Sequence, residues 1–427
     1  MISTGRSIYR DRQNKKMKNR KLFLILDIDG VLLEAQGYRC ACVDTINDFL
    51  KKMGQPYLSV DRSVADFFES SGISTEWDMV PLTLAAFVNW YCSKTKEQLP
   101  IVFPPDCSNT VFIDNEEFKK MLFEQISQYA EMLDPDQTCI NAIYQKLQDS
   151  DGIALKFLWK LPIRDYFFVD TLNPIKAPFF AGLMNRLLGS DTFRNFYGID
   201  APFVSESYLE TKDTPLISDE NRGLLPSFAG SDIYPVIMTY RPSKFPAGSG
   251  NKPKNYFVNT PEGECALKLL GWDDGRVRMI GAGSLCYIEE KYGLRREYYV
   301  KPHPFHAVAS VMMAVCGNEI QSLELSRLLC ELDPELSESP VTQWFHPDDE
   351  IVFAVFEDSV SGIKSVRAAA EVFKKWGYNV TAQLCGIRST ERKNKLLSDV
   401  RGVVLFDQVN DALASVLADY RGKEMNR

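Results

Sequence analysis

LFLILDIDGVLL, residues 22–33, opens on five apolar residues and runs straight into Asp27, Asp29 and Gly30. An unbroken apolar run of that length, ended by a glycine turn, is the pattern of a strand buried on both faces. Carboxylates at i and i+2 of a strand end project to the same side, and the glycine permits the sharp turn that follows. Such a pair can hold a hard divalent cation through oxygen, with one carboxylate attacking and the other moving protons. Read by itself, the same stretch is equally a strand that ends in an acidic turn.

Working outward, five more short β-rich runs follow: YPVIM (234–238), RVRMIGA (276–282), IVFAVF (351–356), VTAQLCGI (380–387) and GVVLF (402–406). Helical patterns lie between them, among them EGECALKLLG, HAVASVMMAVC and IKSVRAAAEVFKKWG. Alternating strands and helices predict an α/β, doubly wound parallel sheet, in which ligands bind at the carboxyl ends of the strands. The gap between the first two strands is far longer than a crossover helix requires. It carries helical texture of its own (VDTINDFLKKMG, VPLTLAAFVNWYCSK, EEFKKMLFEQISQYAEML, CINAIYQKLQ, PFFAGLMNRLLG). The expected organisation is a basic leader over 1–20, an α/β core over 21–34 and 232–427, and a mainly α-helical inserted domain over 35–231. A smaller helical insertion is expected near 318–349.

Four sites fall in order along the core. Asp27 and Asp29 close the first strand, Thr239 ends the next in YPVIMTYRP, Lys301 stands in REYYVKPHPFHA, and Glu357 and Asp358 end IVFAVFEDSVSGIKSVRAAA. Together these resemble the motifs of the haloacid dehalogenase superfamily. The KPxP and EDSxxGI phrases are similar to its phosphoglycolate phosphatase and β-phosphoglucomutase branch. The resemblance covers about half the chain, near 20–34 and 232–412, and the long insert falls where one branch carries its cap domain.

What the resemblance implies is a magnesium-dependent phosphatase acting on a small phosphorylated metabolite. Asp27 would form an aspartyl-phosphate, and Asp29 would protonate the leaving oxygen and then activate water. Mg2+ would be held by Asp27, the backbone carbonyl of Asp29 and Asp358, with Glu357 as a ligand or neighbour. Thr239 would donate to a phosphoryl oxygen, Lys301 would neutralise charge, and Gly30 and Arg241 would complete the phosphate site. Phosphoryl transfer is catalysed mainly by positioning and charge compensation, which this set supplies. Gly362 stands where some relatives carry another acid, leaving the details of the metal shell open. A phosphomutase on the same scaffold is the alternative, and a non-catalytic binding protein a further one. A dehalogenase needs no acid at the second aspartate, so Asp29 speaks against it.

Several residues keep two readings. Thr239 also suits a strand end by propensity, and Lys301 a solvated surface, although Pro302 and Pro304 define a turn beside it. Arg241 and Lys244 serve either a substrate anion or the surface. Ser359 reads as a turn residue, since no nucleophile elbow surrounds it. In STEWDM, Glu76, Trp77 and Asp78 are candidate specificity residues, but a helix start capped by Thr75 with Trp77 packed inside is the expected reading.

Composition adds bounds. The chain has 427 residues, 45% of them apolar, and a formal net charge of −8, so no general nucleic-acid surface is expected. Arg6, Arg10, Arg12, Lys15, Lys16, Lys18, Arg20 and Lys21 crowd the start and read either as a nucleic-acid or membrane-surface arm or, as expected here, a disordered, solvated leader. Met17 is a candidate second start, because every motif follows it. The first apolar run is too short for a signal core or a membrane span. Ten scattered cysteines without zinc spacing point to reduced thiols and a cytoplasmic protein. His303 and His306, at i and i+3, lack companions for a metal site.

Overall fold

The computed structural model describes residues 19–96, 99, 102–108, 114–134, 139–250, 258–295 and 297–425. Among the described residues eight strands are present: β1 Arg20–Leu26, β2 Leu33–Glu34, β3 Thr214–Pro215, β4 Ile233–Met238, β5 Arg278–Ile280, β6 Glu350–Glu357, β7 Asn379–Ile387 and β8 Val403–Phe406. Six of them form one parallel sheet in the order β5-β4-β1-β6-β7-β8. All six are the apolar runs expected from sequence, and the α/β class is as expected, with a Rossmann-like core.

β1 sits in the middle because every one of its apolar side chains has a layer to enter. Leu22, Leu24 and Leu26 pack on one side with Val409, Leu413 and Val416 of the helix Val409–Met425. Phe23 and Ile25 enter the opposite layer with Val308 and Met312 of helix Pro304–Cys316 and Ile363 and Val366 of helix Val360–Lys375. The period of two therefore distributes one strand between two hydrophobic layers. The chain builds outward from β1 through β4 and β5, then returns to the other side of β1 with β6. The crevice outside the carboxyl ends of β1 and β6 is thus the topological switch point of the sheet.

Residues between β2 and β3 form a helical unit with its own hydrophobic cluster, running from Tyr38 to Leu209 with three added residues of the sheet-bearing part, Val258, Cys265 and Cys286. The chain leaves and returns through a two-stranded antiparallel ribbon pairing Leu33 with Pro215 and Glu34 with Thr214. Ile217 and Leu225 already lie in the layer under the sheet, upstream of residue 231.

Some boundaries differ from the sequence reading. The first helix of the unit starts at Gln36, not Val43. Its early N–H groups need partners, and Gly37 N–H finds Asp213 Oδ1 at 2.7 Å, 176 residues away, a partner no local pattern reveals. β5 spans only Arg278–Ile280, because only Val236–Met238 of β4 pairs with it.

Of the expected leader, residues 1–18 lie outside the described residues. Arg20 and Lys21 do not belong to it but to β1. Arg20 Nη1 donates to the Tyr420 carbonyl at 2.7 Å and Nε pairs with Glu350 at 3.1 Å. Lys21 Nζ pairs with Asp349 at 2.8 Å. In the segment 318–349, helix Glu319–Glu331 packs against Pro304–Cys316, and Val341 and Phe345 sit in the sheet layer. Among the described residues no helix is long and apolar enough to cross a membrane.

Phe23 is fully buried and meets Tyr234, Phe345 and Phe353. Phe23→Ala is expected to destabilise the sheet unit by about 3–5 kcal/mol, read as a shifted urea-unfolding transition. A loss below about 1 kcal/mol would contradict this packing.

Candidate active site

Three strand ends and one turn converge at the switch point. β1 delivers Asp27, and the chain then turns at Gly30, whose φ of +76° favours glycine. A Cβ on Gly30 would also collide with the Asp358 carboxylate. The N–H of Gly30 is committed to Leu33 O at 2.9 Å. Its backbone thus supplies the turn and the clearance beside Asp358, with its N–H turned to Leu33.

β6 delivers Glu357 and Asp358, both buried. Ser359 caps the next helix, its Oγ accepting from Gly362 N–H at 3.2 Å, while its own N–H donates to Glu357 Oε2 at 2.8 Å. It is a turn and cap residue, as read from sequence. A side chain at Gly362 would collide with the Glu357 carboxylate. Where another acid could have stood there is a glycine, and Glu357 fills that space instead. Thr239, at the end of β4, is buried, and its hydroxyl oxygen accepts from Arg241 N–H at 3.2 Å, leaving the hydroxyl proton free to donate.

Lys301 Nζ lies between two of these carboxylates, 2.9 Å from Asp27 Oδ1 and 2.7 Å from Glu357 Oε1. Burial pushes Asp27 up to about 8; Lys301 opposes this shift, while Glu357 and Asp29 add to it. Burial disfavours the charge on Lys301, yet Asp27 and Glu357 hold the ammonium above its ordinary range. Asp358 is raised by burial and relieved by Lys393, whose Nζ is 2.7 Å away.

Asp27, Glu357 and Asp358 each offer an oxygen within 4.8 Å of the others. Three buried carboxylates, with Lys301 between two of them and Lys393 on the third, form a hard-oxygen donor set that could hold a divalent cation. The side chain of Asp29 stands outside this group.

Asp29 is instead gripped by Arg241, through Nε at 3.0 and 3.1 Å and Nη2 at 2.5 Å. Arg241 Nη2 also reaches Asp213 Oδ2 at 2.9 Å. Arg241 is only 3% exposed, and its Nη1 is buried without a hydrogen-bond partner among the described residues. Arg241 was expected to bind substrate phosphate; two carboxylates occupy it here. Lys244 is exposed and lies outside the cleft lining.

Sequence reasoning missed Asp213, Lys393 and the Tyr38–Glu262 pair. Tyr38 O–H donates to Glu262 Oε2 at 2.6 Å, and Thr260 O–H to Oε1 at 2.6 Å. None stands in a motif. The one local signal is for Lys393, in IRSTERK directly after β7, where a loop at the carboxyl end of a parallel strand is expected to meet the ligand.

The cleft above these groups has a volume of about 690 Å³. Its far wall comes from the helical unit and includes Tyr38, Arg39, Glu76 and Trp77. Thr75 does not cap through its side chain; its hydroxyl donates to Asp78 Oδ2 at 2.6 Å, and Asp78 is buried. Trp77 packs partly against the helical core, edge-on to Tyr38. Glu76 and Trp77 thus line the cleft, and Asp78 does not. Burial pushes Glu76 up to about 7.

No protein-family model matches the chain, and no curated protein matches it. An X-ray structure described as a Northeast Structural Genomics Consortium target is similar, with a TM-score of 0.57 and 16% identity. The match covers 95% of this chain and 99% of that one. At that identity the likeness concerns the fold alone.

Two measurements test this geometry. Gly362→Ala must drive Glu357 off Lys301, so its thermal transition is expected to fall by the equivalent of about 2–4 kcal/mol; an unchanged transition would mean Glu357 does not lie over residue 362. Burial pushes Glu262 up to about 7 from 4.5. A raised folded pKa means that its stabilising proton is fully bound below pH 4.5 and lost as pH rises through 7. Glu262→Gln removes that loss, at most about 3 kcal/mol. Urea unfolding at pH 5 and pH 8 is expected to show a smaller decline in the variant than in the parent; equal declines would refute the assignment.

Proposed function

We propose that this chain is a magnesium-dependent phosphomonoester hydrolase of the haloacid dehalogenase type, acting on a small phosphorylated metabolite. The observation that carries the reading is the convergence of Asp27, Lys301, Glu357 and Asp358 at the switch point of the sheet. These residues lie far apart in sequence and are the ones whose order resembles that superfamily's motifs.

The residues then take definite parts. A carboxylate oxygen of Asp27 attacks phosphorus, forming an aspartyl-phosphate as the bond to the ester oxygen breaks. Asp29, in its acid form, gives its proton to that departing oxygen. Water next attacks the phosphorus, passing its proton to Asp29 and releasing inorganic phosphate with Asp27 restored. Lys301 offsets charge on Asp27 throughout, and the Thr239 hydroxyl donates to a phosphoryl oxygen. Magnesium bound among Asp27, Glu357 and Asp358 would supply the positive charge that keeps Asp27 ionised and neutralises the phosphoryl group. The helical unit, read as a cap, walls the cleft and excludes water. Lys301 reaches Glu357 as well as Asp27, so Lys301→Ala removes the counter-charge of both.

A cytoplasmic setting without nucleic-acid or membrane partners belongs to this reading. None of the ten cysteines is joined in a disulfide, and the net charge of −8 disfavours polyanions.

The test is phosphate release from an aryl phosphate and a panel of metabolite phosphates, with and without magnesium. Magnesium-dependent release is expected, lost by at least about 1000-fold in Asp27→Asn. Isomerised sugar phosphate without free phosphate would shift the reading to a mutase, and no turnover of any ester would leave a binding protein.

A further inference from the structure

We propose that Arg241 and Asp213 are positioning residues that set Asp29 according to how the helical unit sits on the sheet. The inference rests on the functional reading for what Asp29 does, while the linkage itself is geometric.

The linkage begins where the chain crosses between the two parts. Gly37 lies in the first turn of the helix after β2, and Asp213 immediately precedes β3, so both stand close to the connecting ribbon. Asp213 bridges them: Oδ1 accepts from Gly37 N–H at 2.7 Å, and Oδ2 accepts from Arg241 Nη2 at 2.9 Å. A Cβ on Gly37 would approach Asp213 Oδ1 to 2.9 Å and Tyr208 O to 2.7 Å, so the close pass depends on a glycine.

Arg241 itself follows β4 and belongs to the sheet. It is held from the helical side by Asp213 and by Tyr38, over whose ring its guanidinium lies at 5.2 Å. Tyr38 is in turn fixed by its hydrogen bond to Glu262. The guanidinium grips Asp29 with both Nε and Nη2, and Nη2 is shared with Asp213. A planar fork transmits orientation as a point charge would not. Movement of the ribbon or of Tyr38 therefore moves the guanidinium, and with it the carboxylate assigned to proton transfer. Burying an arginine between carboxylates is a poor way to gain stability, and it is an effective way to fix direction.

The test compares p-nitrophenyl phosphate, whose leaving group departs without a proton, with glycerol phosphate, whose alkoxide requires one. Asp213→Asn is expected to slow single-turnover release of glycerol about 10–100-fold and of p-nitrophenol less than about 3-fold, both read before the hydrolysis step that the two esters share. In an Asp29→Asn background it is expected to add no further loss on glycerol phosphate, since a misplaced acid matters only while an acid is present. Arg241→Lys, which keeps the charge but not the fork, is expected to show the same selectivity and serves if Asp213→Asn fails to fold. Equal losses on both esters, or full additivity with Asp29→Asn, would overturn the proposal. Should the parent protein hydrolyse neither ester, the functional reading fails separately, and the crystal structure of Asp213→Asn decides. Asp29 turned away from Arg241 then upholds the linkage, and an unchanged fork refutes it.

Discussion

One ammonium group, Lys301 Nζ, lies buried between Asp27 and Glu357, and the arrangement of the cleft follows from it. Neither carboxylate could be buried so close to the other without a cation between them, because desolvated like charges repel strongly. Asp27 comes from β1 and Glu357 from β6, adjacent strands whose register aligns Leu26 with Phe356. Lys301 thus holds together the two strand ends at which the sheet changes direction. Its own segment is anchored below by the helix that starts at Pro304, with His303 capping that helix through Phe305 N–H at 3.1 Å.

Around this pair the structure arranges charge in two separate groups. Asp27, Glu357 and Asp358 converge with Lys301 and Lys393, while Asp29 is drawn aside by Arg241 towards the ribbon. Carboxylates two residues apart on one strand end have therefore been given different partners and different surroundings. Separating the environments of neighbouring acids is the general means by which a site assigns them different work. Two glycines make the first group possible. Gly30 leaves room for Asp358, and Gly362 leaves room for Glu357.

Much of this was legible in the chain. LFLILDIDG announced both a central strand and the carboxylates at its end, because strand burial and turn chemistry are local properties. The remaining sheet strands followed from similar local patterns, whereas Thr239, Lys301, Glu357 and Asp358 were singled out by their resemblance to the superfamily's motifs. Arg241 was legible as a cleft residue but not in its role, since its partners Asp29 and Asp213 lie 212 and 28 positions away. The start of the first helix at Gln36 escaped for the same reason: Asp213 satisfies its N–H from across the insert. Gly30 was read as a phosphate contact, and its N–H turns to Leu33.

The sequence by itself determined the elements and the identity of the residues at their ends, since apolar period, glycine turns and capping act within a few residues. Tertiary structure alone decided the order β5-β4-β1-β6-β7-β8, and hence which strand ends meet. It alone decided that Lys301 faces Asp27 and Glu357, that Arg241 turns to Asp29 and Asp213, and that Glu76 and Trp77 look into the cleft. Pairing of buried charge is settled by distance in space and by loss of water, and neither is written in the spacing of residues along a chain.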